Sequence, residues 1–328
     1  MPKSLAVRSE TWPIKGSFRI SRGAKTATDV VVVEISDDRA TGRGEGDPYP
    51  RYGEAVASVI AEIESLQAEI EAGLTRHDLQ HRLKAGAARN ALDCALIDWE
   101  AKSTGRSAAE VLGLPTPVPV RTAFTLSLDT PEAMAKAATA VAPSFGLIKL
   151  KIAGAGDLER VAAVRQAAPR ARLIADANEG WSLDDLHRLT PKLAKLGVAL
   201  IEQPLKAGED EALLDFKSPV PLCADESCHT RADLPRLVGR YSHINIKLDK
   251  AGGLTEAVAL AHEALASGLK LMVGCMVSTS LSIAPAVLLA PLAEFVDLDG
   301  PLLLERDRAP GLTYCGDELF PPEAKLWG

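Results

Sequence analysis

Five charged residues recur at nearly even spacing through the middle of the sequence: Lys151, Asp176, Glu202, Asp225 and Lys247, in steps of 25, 26, 23 and 22 positions. Each closes a short apolar run: LIKLK, RLIAD, VALIE, PLCAD and HINIK. Any one of these carboxylates reads equally well as a helix cap. Five in phase do not, because burying a charge at the end of an apolar run is costly unless it is paired or bound. Three successive carboxylates with no histidine or cysteine among them form a hard oxygen donor set, suited to Mg2+, or Mn2+ in its place, rather than zinc. A lysine flanks them on either side. A hydrogen α to a carboxylate is a very weak acid because its loss leaves a dianionic enediolate, and a divalent cation on the carboxylate oxygens offsets that charge. A lysine base must be neutral to act. Burial, the metal and a second ammonium all lower its pKa, and Lys149, two residues before Lys151 on the same strand face, supplies that second charge and could also touch a substrate carboxylate. Lysines on opposite faces of one α-carbon would invert it.

The elements that must position these residues are legible in the same stretch. VRTAFTL, LIKLKI, RLIAD, VALIE, PLCAD, HINIK, LKLMVGC and EFVDLD read as eight strands, with segments rich in Ala, Leu, Glu and Arg between them. Eight β-then-α units in about 190 residues suggest a closed (β/α)8 barrel of the modified TIM type, with an open doubly wound sheet as the competing architecture. In a barrel, the five charged residues share the C-terminal face, and strands two and six face each other across the mouth. The first third differs. DVVVVEI reads as a strand, Gly53 to Gly73 and Ala85 to Ser103 as helical, and LGLPTPVPV as a boundary. The expected division is an α+β domain over 1–117, joined by the C-terminal segment 310–328, and a barrel over 118–309.

Composition narrows the partners. Across 328 residues, 47% apolar and 25% charged residues describe an ordinary globular chain. A net charge of −7 argues against nucleic acid or anionic membranes as partners. The N-terminal residues lack the apolar core of a signal peptide, and no apolar run approaches the roughly 18 residues of a membrane span, so a cytoplasmic protein is expected. Five scattered cysteines read as reduced thiols. The sequence carries no signal of oligomeric state. Gly42, Gly44 and Gly46 lack the rest of a nucleotide fingerprint and read as a turn leading to a capping loop. His77 and His81, four apart, read as a solvated face.

The motifs KLK, ADAN, EQP, ADES and NIKLDKAGGL, together with the N-terminal WP and PYPRYGE segments, resemble the enolase superfamily in its muconate-lactonizing-enzyme-like subgroup. The resemblance implies a capping domain on a barrel, Asp176, Glu202 and Asp225 as Mg2+ ligands, and Lys151 and Lys247 as the acid/base pair. FVDLDGP is similar to the signature of the subgroup's dipeptide epimerases, in which Asp297 and Asp299 would bind the substrate's α-ammonium. Residues two apart on a strand do point the same way. The implied reaction inverts the second residue of a small dipeptide such as L-Ala-L-Glu, in murein peptide recycling. In the loop SRGAKT, Arg22 and Lys25 are the cations available for an acidic side chain, Lys25 standing where the family has arginine. Cys275 and Met276 would line the pocket, and Asn178 and Asp249 would orient the ligands or Lys247. The alternatives within the subgroup are an N-acylamino acid racemase, an o-succinylbenzoate synthase or a cycloisomerase, whose substrates offer no free dipeptide ammonium. A mandelate-racemase-type enzyme needs a histidine base around strands six and seven. A barrel that binds a dipeptide without turnover would not need a base on each face.

Overall fold

The computed structural model describes residues 2–328. The chain begins with a three-stranded antiparallel sheet, β1 (Ser4–Ile20), β2 (Gly23–Ser36) and β3 (Thr41–Gly46), in the order β1-β2-β3. The run Val30 to Val33 lies in the central strand and is buried on both faces. Val30 and Val32 pack with Cys94 and Ile97 of the helix Ala87–Thr104, while Val31 and Val33 pack with Val59 and Ile63 of the helix Val56–Glu64. Both helices fall inside the segments expected to be helical. The long edge strand β1 was not expected. It contains Pro13, which cannot donate to a ladder, and its register with β2 shifts between Pro13 and Phe18, a break tolerated at a sheet edge.

The glycine run is a correction to the expected turn. Gly42, Gly44 and Gly46 lie in β3, alternate residues of one strand face, and that face presses on the backbone of the helix Ala87–Thr104. A Cβ on Gly42 would meet the Ala95 carbonyl, one on Gly44 the Ala91 carbonyl, and one on Gly46 the Ala87 carbonyl. The period of two on the strand thus matches the period of four on the helix.

The strand β4 (Val120–Arg121) precedes eight parallel strands: β5 (Phe124–Leu126), β6 (Leu147–Lys151), β7 (Arg172–Asp176), β8 (Val198–Glu202), β9 (Leu222–Ala224), β10 (His243–Ile246), β11 (Lys270–Gly274) and β12 (Phe295–Asp297). They are ordered as in the sequence. The ring closes where Ala123 N donates to Val296 O at 2.8 Å and Leu298 N donates to Thr122 Oγ1 at 2.8 Å. This is a closed eight-stranded barrel with a capping sheet, and not the open doubly wound sheet. Beyond the barrel, β13 (Tyr314–Cys315) pairs with β14 (Glu318–Leu319), which pairs with β4. The last residues return to the first part of the chain: Trp327 Nε1 donates to Cys94 O and Gly328 N to Asp98 Oδ1.

Strand alternation sorts the barrel residues into two sets. Leu150, Leu173, Ile201, Ala224, Ile244, Val273 and Val296 face the outer helices in the main core. Ile174, Leu200, Cys223, Met272 and Phe295 form a separate apolar plug inside the ring. The next inward residues toward the C-terminal ends are the carboxylates Asp176, Glu202, Asp225 and Asp297, with Gly274 on β11. The plug fills the barrel below them and excludes water from that side.

Because Gly44 sits against carbonyl oxygen, Gly44→Ala is expected to lower stability by about 2 kcal/mol through overpacking. Thermal melting followed by circular dichroism checks this. A wild-type melting temperature would contradict the close approach.

Candidate active site

Lys149 and Lys151 point into the ring from β6, and Asp176 and Glu202 are the last residues of β7 and β8. Lys151 stands opposite Asp176 in register, and Asp176 opposite Glu202. Asp225 and Lys247 follow directly after β9 and β10. Asp297 ends β12, and Asp299 follows two residues later. The structure therefore brings together at one end of the barrel all eight charged residues that the sequence placed there. β6 and β10 are four strands apart in a ring of eight, so Lys151 and Lys247 enter from opposite sides.

These charges are buried and paired. Lys151 Nζ lies 2.6 Å from Asp176 Oδ2, and Lys247 Nζ 2.7 Å from Asp225 Oδ2. Lys149 Nζ contacts Asp176, Glu202 and Asp297 at 3.1, 2.8 and 2.8 Å. Burial alone would push the Asp176 carboxyl up, but Lys151 and Lys149 beside it bring it down to about 2. Asp225 is likewise held well below the usual carboxylate range against burial by Lys247 and Lys250. Glu202 is pushed up to about 7 by burial and by Asp176, which Lys149 only partly offsets. For Lys247 and Lys149 burial favours the neutral amine, but the adjacent carboxylates, Asp225 for one and Asp297 for the other, carry both well above the ordinary lysine value. Lys149 is thereby the ammonium expected beside Lys151, and the lowering expected of a base would come with a cation on those carboxylates.

Two of the carboxylates retain oxygens without an aligned hydrogen bond. Glu202 Oε2 and Asp225 Oδ1 are buried and unsatisfied, although Lys149 Nζ and Lys250 Nζ lie within ion-pair distance, at 2.8 and 2.7 Å. Among the described residues no three such side chains already form a coordination cluster. The donor chemistry nonetheless fits a hard divalent ion: three carboxylates on adjacent strands, free lone pairs on two of them, and no sulfur or imidazole competitor.

Several side chains hold this set in place that sequence reasoning missed. Lys250 is almost fully buried and donates to the carbonyls of Asp225, Cys228 and Asn245. Asn245 Nδ2 donates to Glu202 Oε1 at 2.8 Å. Gln203 accepts from Asp225 N and Ser227 N, and donates to Leu205 O, Ser227 and Tyr241. The signal was available for Gln203 and Lys250, which lie inside EQP and NIKLDK beside the residues singled out. Charge at the centre drew attention away from their backbone contacts.

The remaining expected residues divide. Cys275 and Met276 line the pocket, and the Cys275 thiol donates to Asp297 O at 3.3 Å. Asn178 orients Asp176 through its backbone N–H, 2.9 Å from Asp176 Oδ1, while its side chain reaches Glu226. Asp249 faces the N-terminal part of the chain: its Oδ1 accepts from Asp47 N and from Asn90 Nδ2. Arg22 is engaged by Glu179 at 3.0 Å and Glu226 at 2.8 Å. Lys25 lies over the Tyr49 ring, 5.2 Å from its centroid. Asp299 is pushed up to about 7 by burial and by Asp297, and it accepts from Thr125 N at 2.6 Å. All of these except Asp249 border one cavity of about 470 Å3, within the size range of small-molecule sites.

Lys250→Met is expected to lower stability by about 3 kcal/mol or more, because a buried carboxylate loses a counter-charge and three carbonyls lose their donor. Chemical denaturation measures it, and a loss under about 1 kcal/mol would deny Lys250 that role.

Comparison with known proteins follows the same lines. Residues 3–113 match the model of the mandelate racemase / muconate lactonizing enzyme N-terminal domain, and residues 132–312 match the enolase C-terminal domain-like model. The chain is 49% identical to the L-Ala-D/L-Glu epimerase of Escherichia coli K12, covering 97% of this chain and 99% of that one. It is 47% identical to an N-acetyl-D-glutamate racemase of a Pseudoalteromonas species, over 91% and 95%. Among solved structures, an enolase family member from Agrobacterium tumefaciens with homology to dipeptide epimerases, bound to sodium and L-Ala-L-Glu, superposes with a TM-score of 0.97 at 51% identity over the full length of both chains. A dipeptide epimerase from Enterococcus faecalis, complexed with Mg and L-Leu-L-Tyr, superposes at 0.90 with 30% identity, covering 98% of each chain.

Proposed function

The chain belongs to the mandelate racemase / muconate lactonizing enzyme family of enolase-like proteins, and from that premise we propose that it is a dipeptide epimerase, inverting the α-carbon of the C-terminal residue of L-Ala-L-Glu and L-Ala-D-Glu. The observation that carries this reading is the pairing of two lysines from opposite sides of the ring with two acceptor carboxylates, Asp297 and Asp299, at the end of β12.

Asp176, Glu202 and Asp225 are the residues that would hold Mg2+, which when bound neutralises the charge that develops on the substrate carboxylate as its α-hydrogen is lost. Lys151 and Lys247 do the proton chemistry. One, as the neutral amine, takes the α-hydrogen from its face, and the C–H electron pair passes into the carboxylate to give an enediolate. The other, as the ammonium, returns a proton to the opposite face. Which lysine acts as base depends on the epimer bound. Lys149, with Asp176, Glu202 and Asp297 around it, stays charged and keeps the carboxylates apart from one another. Asp297 and Asp299 take the α-ammonium of the first residue. Lys25, whose ammonium faces a tyrosine ring rather than a carboxylate, is the cation for the glutamate side chain. It acts as a point charge without the bidentate geometry of arginine.

A second reading is N-acylglutamate racemisation, favoured by the Pseudoalteromonas relative. An N-acyl group carries no ammonium, so Asp299, which unlike Asp297 has no lysine ion pair among the described residues, would remain buried without a counter-charge opposite it, and a site built for a polar group discriminates strongly against its absence. We infer further that the enzyme works in the cytoplasm on dipeptides derived from murein, a reading supported by five unpaired cysteines.

In D2O with Mg2+, both L-Ala-L-Glu and L-Ala-D-Glu are expected to exchange their α-hydrogen for deuterium, with chelation stopping exchange and added Mg2+ restoring it. Exchange of N-acetylglutamate but of no dipeptide would establish the second reading, and exchange of neither would end both. The pH profile supplies a further check. Asp299 is neutral in the free enzyme below about 7, and only its anion pairs with an ammonium. Hence kcat/KM for the dipeptide should fall as pH drops through about 7, and Asp299→Asn should lose that limb along with most affinity. A flat profile there would count against Asp299 as the ammonium acceptor.

A further inference from the structure

Two segments from the N-terminal part of the chain border the cavity: the β1–β2 turn around Arg22 and the loop Pro50–Tyr52. The turn is held nearby by one backbone hydrogen bond to the barrel, Leu128 N to Arg19 O at 3.0 Å, and the Pro50–Tyr52 loop has none among the described residues. Both segments also end on one barrel side chain. Glu179 is 8% exposed, and its Oε2 accepts from Arg22 at 3.0 Å and from Arg51 Nε at 2.9 Å. Its Oε1 accepts from Arg51 at 2.7 Å and from the backbone N–H of Ala207 at 2.9 Å. Arg51 therefore grips it with a two-pronged fork, the strongest form of such a pair. Ser21 adds a hydrogen bond to Asn178 O at 2.8 Å, and Arg22 another at 2.7 Å.

The barrel backbone is bent to present this carboxylate. Asn178 and Glu179 both adopt left-handed conformations, with φ of 42° and 66°, which non-glycine residues occupy only when the surroundings hold them there. A solvated surface ion pair would need no such backbone. Glu179, three residues beyond Asp176, is met there by the two arginines. Glu226 holds the other prong of Arg22 at 2.8 Å.

We propose that Glu179 is a positioning residue, the anchor shared by both capping segments where they dock over the pocket, and that Arg22 is a strut of that anchor rather than a cation for substrate. The consequence is a division of labour in SRGAKT: Arg22 holds the loop and Lys25 meets the ligand. Docking sets how tightly the dipeptide is retained, while the lysines and carboxylates beneath set the chemistry. The kinetic test rests on the epimerase reading, and the structural test does not.

Limited trypsin digestion of the whole protein, without metal or dipeptide, reads docking through cleavage after Arg22, Lys25 and Arg51, located by mass spectrometry. Glu179→Gln keeps the size of the side chain and removes its charge. Cleavage at these sites should quicken about tenfold, and KM for L-Ala-L-Glu should rise about tenfold with kcat within about threefold of wild type. Arg51→Gln alters a side chain that is 41% exposed, too peripheral to unfold the barrel. It should reproduce the rise in KM, and the double variant should add little to either single one. Unchanged cleavage in Glu179→Gln, or full additivity in the double variant, overturns the proposal. If Glu179→Gln is instead cut throughout the barrel, Arg51→Gln decides: a raised KM supports the anchor and an unchanged KM overturns it. Faster loop cleavage in a protein that turns over no dipeptide leaves the anchor standing and removes the epimerase.

Discussion

Buried carboxylates cannot stand at the mouth of a barrel without counter-charge, and that constraint organises this protein. Asp176, Glu202, Asp225 and Asp297 are each at most 3% exposed, and an isolated anion so placed would take up a proton. Lys149, Lys151, Lys247 and Lys250 supply the opposite charges from β6 and from the segment after β10. The balance is incomplete at Glu202, which remains pushed up to about 7. Two of these counter-charges, Lys151 and Lys247, are also the lysines proposed to move protons. A divalent cation taking over the carboxylates would free Lys151 and Lys247 from their partners, Asp176 and Asp225, so charge balance and catalytic competence are linked through the same contacts.

The rest of the structure holds that arrangement still. The apolar plug of Ile174, Leu200, Cys223, Met272 and Phe295 closes the ring beneath the charges, and a dry floor strengthens every ion pair above it. From the side, the helix Ala87–Thr104 reaches the segment after Lys247: Arg89 donates to the carbonyls of Ala251 and Gly252, Asn90 to Asp249, and Asp93 accepts from Thr255 N. The same helix is pressed by the glycine face of β3. The N-terminal sheet thus bears on the position of Lys247 through one rigid element, while its loops reach the mouth through Glu179.

Much of this was legible in the sequence because a barrel repeats itself. Steps of 22 to 26 residues between strand-end charges are one β/α unit each, and strand alternation then dictates which residues face inward. Asp176, Glu202, Asp225, Lys151 and Lys247 could be named for that reason. What escaped depends on contacts between distant parts of the chain. β1 carries no clean alternation because it is an edge with a proline and a register shift. Gly42, Gly44 and Gly46 look like a turn until the helix that presses on them is in place. Asp249 sits two residues from Lys247 yet turns toward Asn90 and Asp47, and Arg22 looks free in sequence but is consumed by Glu179 and Glu226.

The central claim is that Lys151 and Lys247 address one α-carbon from opposite faces. Deuterium exchange followed by NMR for each epimer separately, in the Lys151→Ala and Lys247→Ala variants with Mg2+, tests it most directly. Both variants should lose interconversion, while each retains exchange with a different epimer, the one whose hydrogen faces the remaining lysine. Full epimerisation in either variant, or residual exchange with the same epimer in both, would contradict the two-base arrangement.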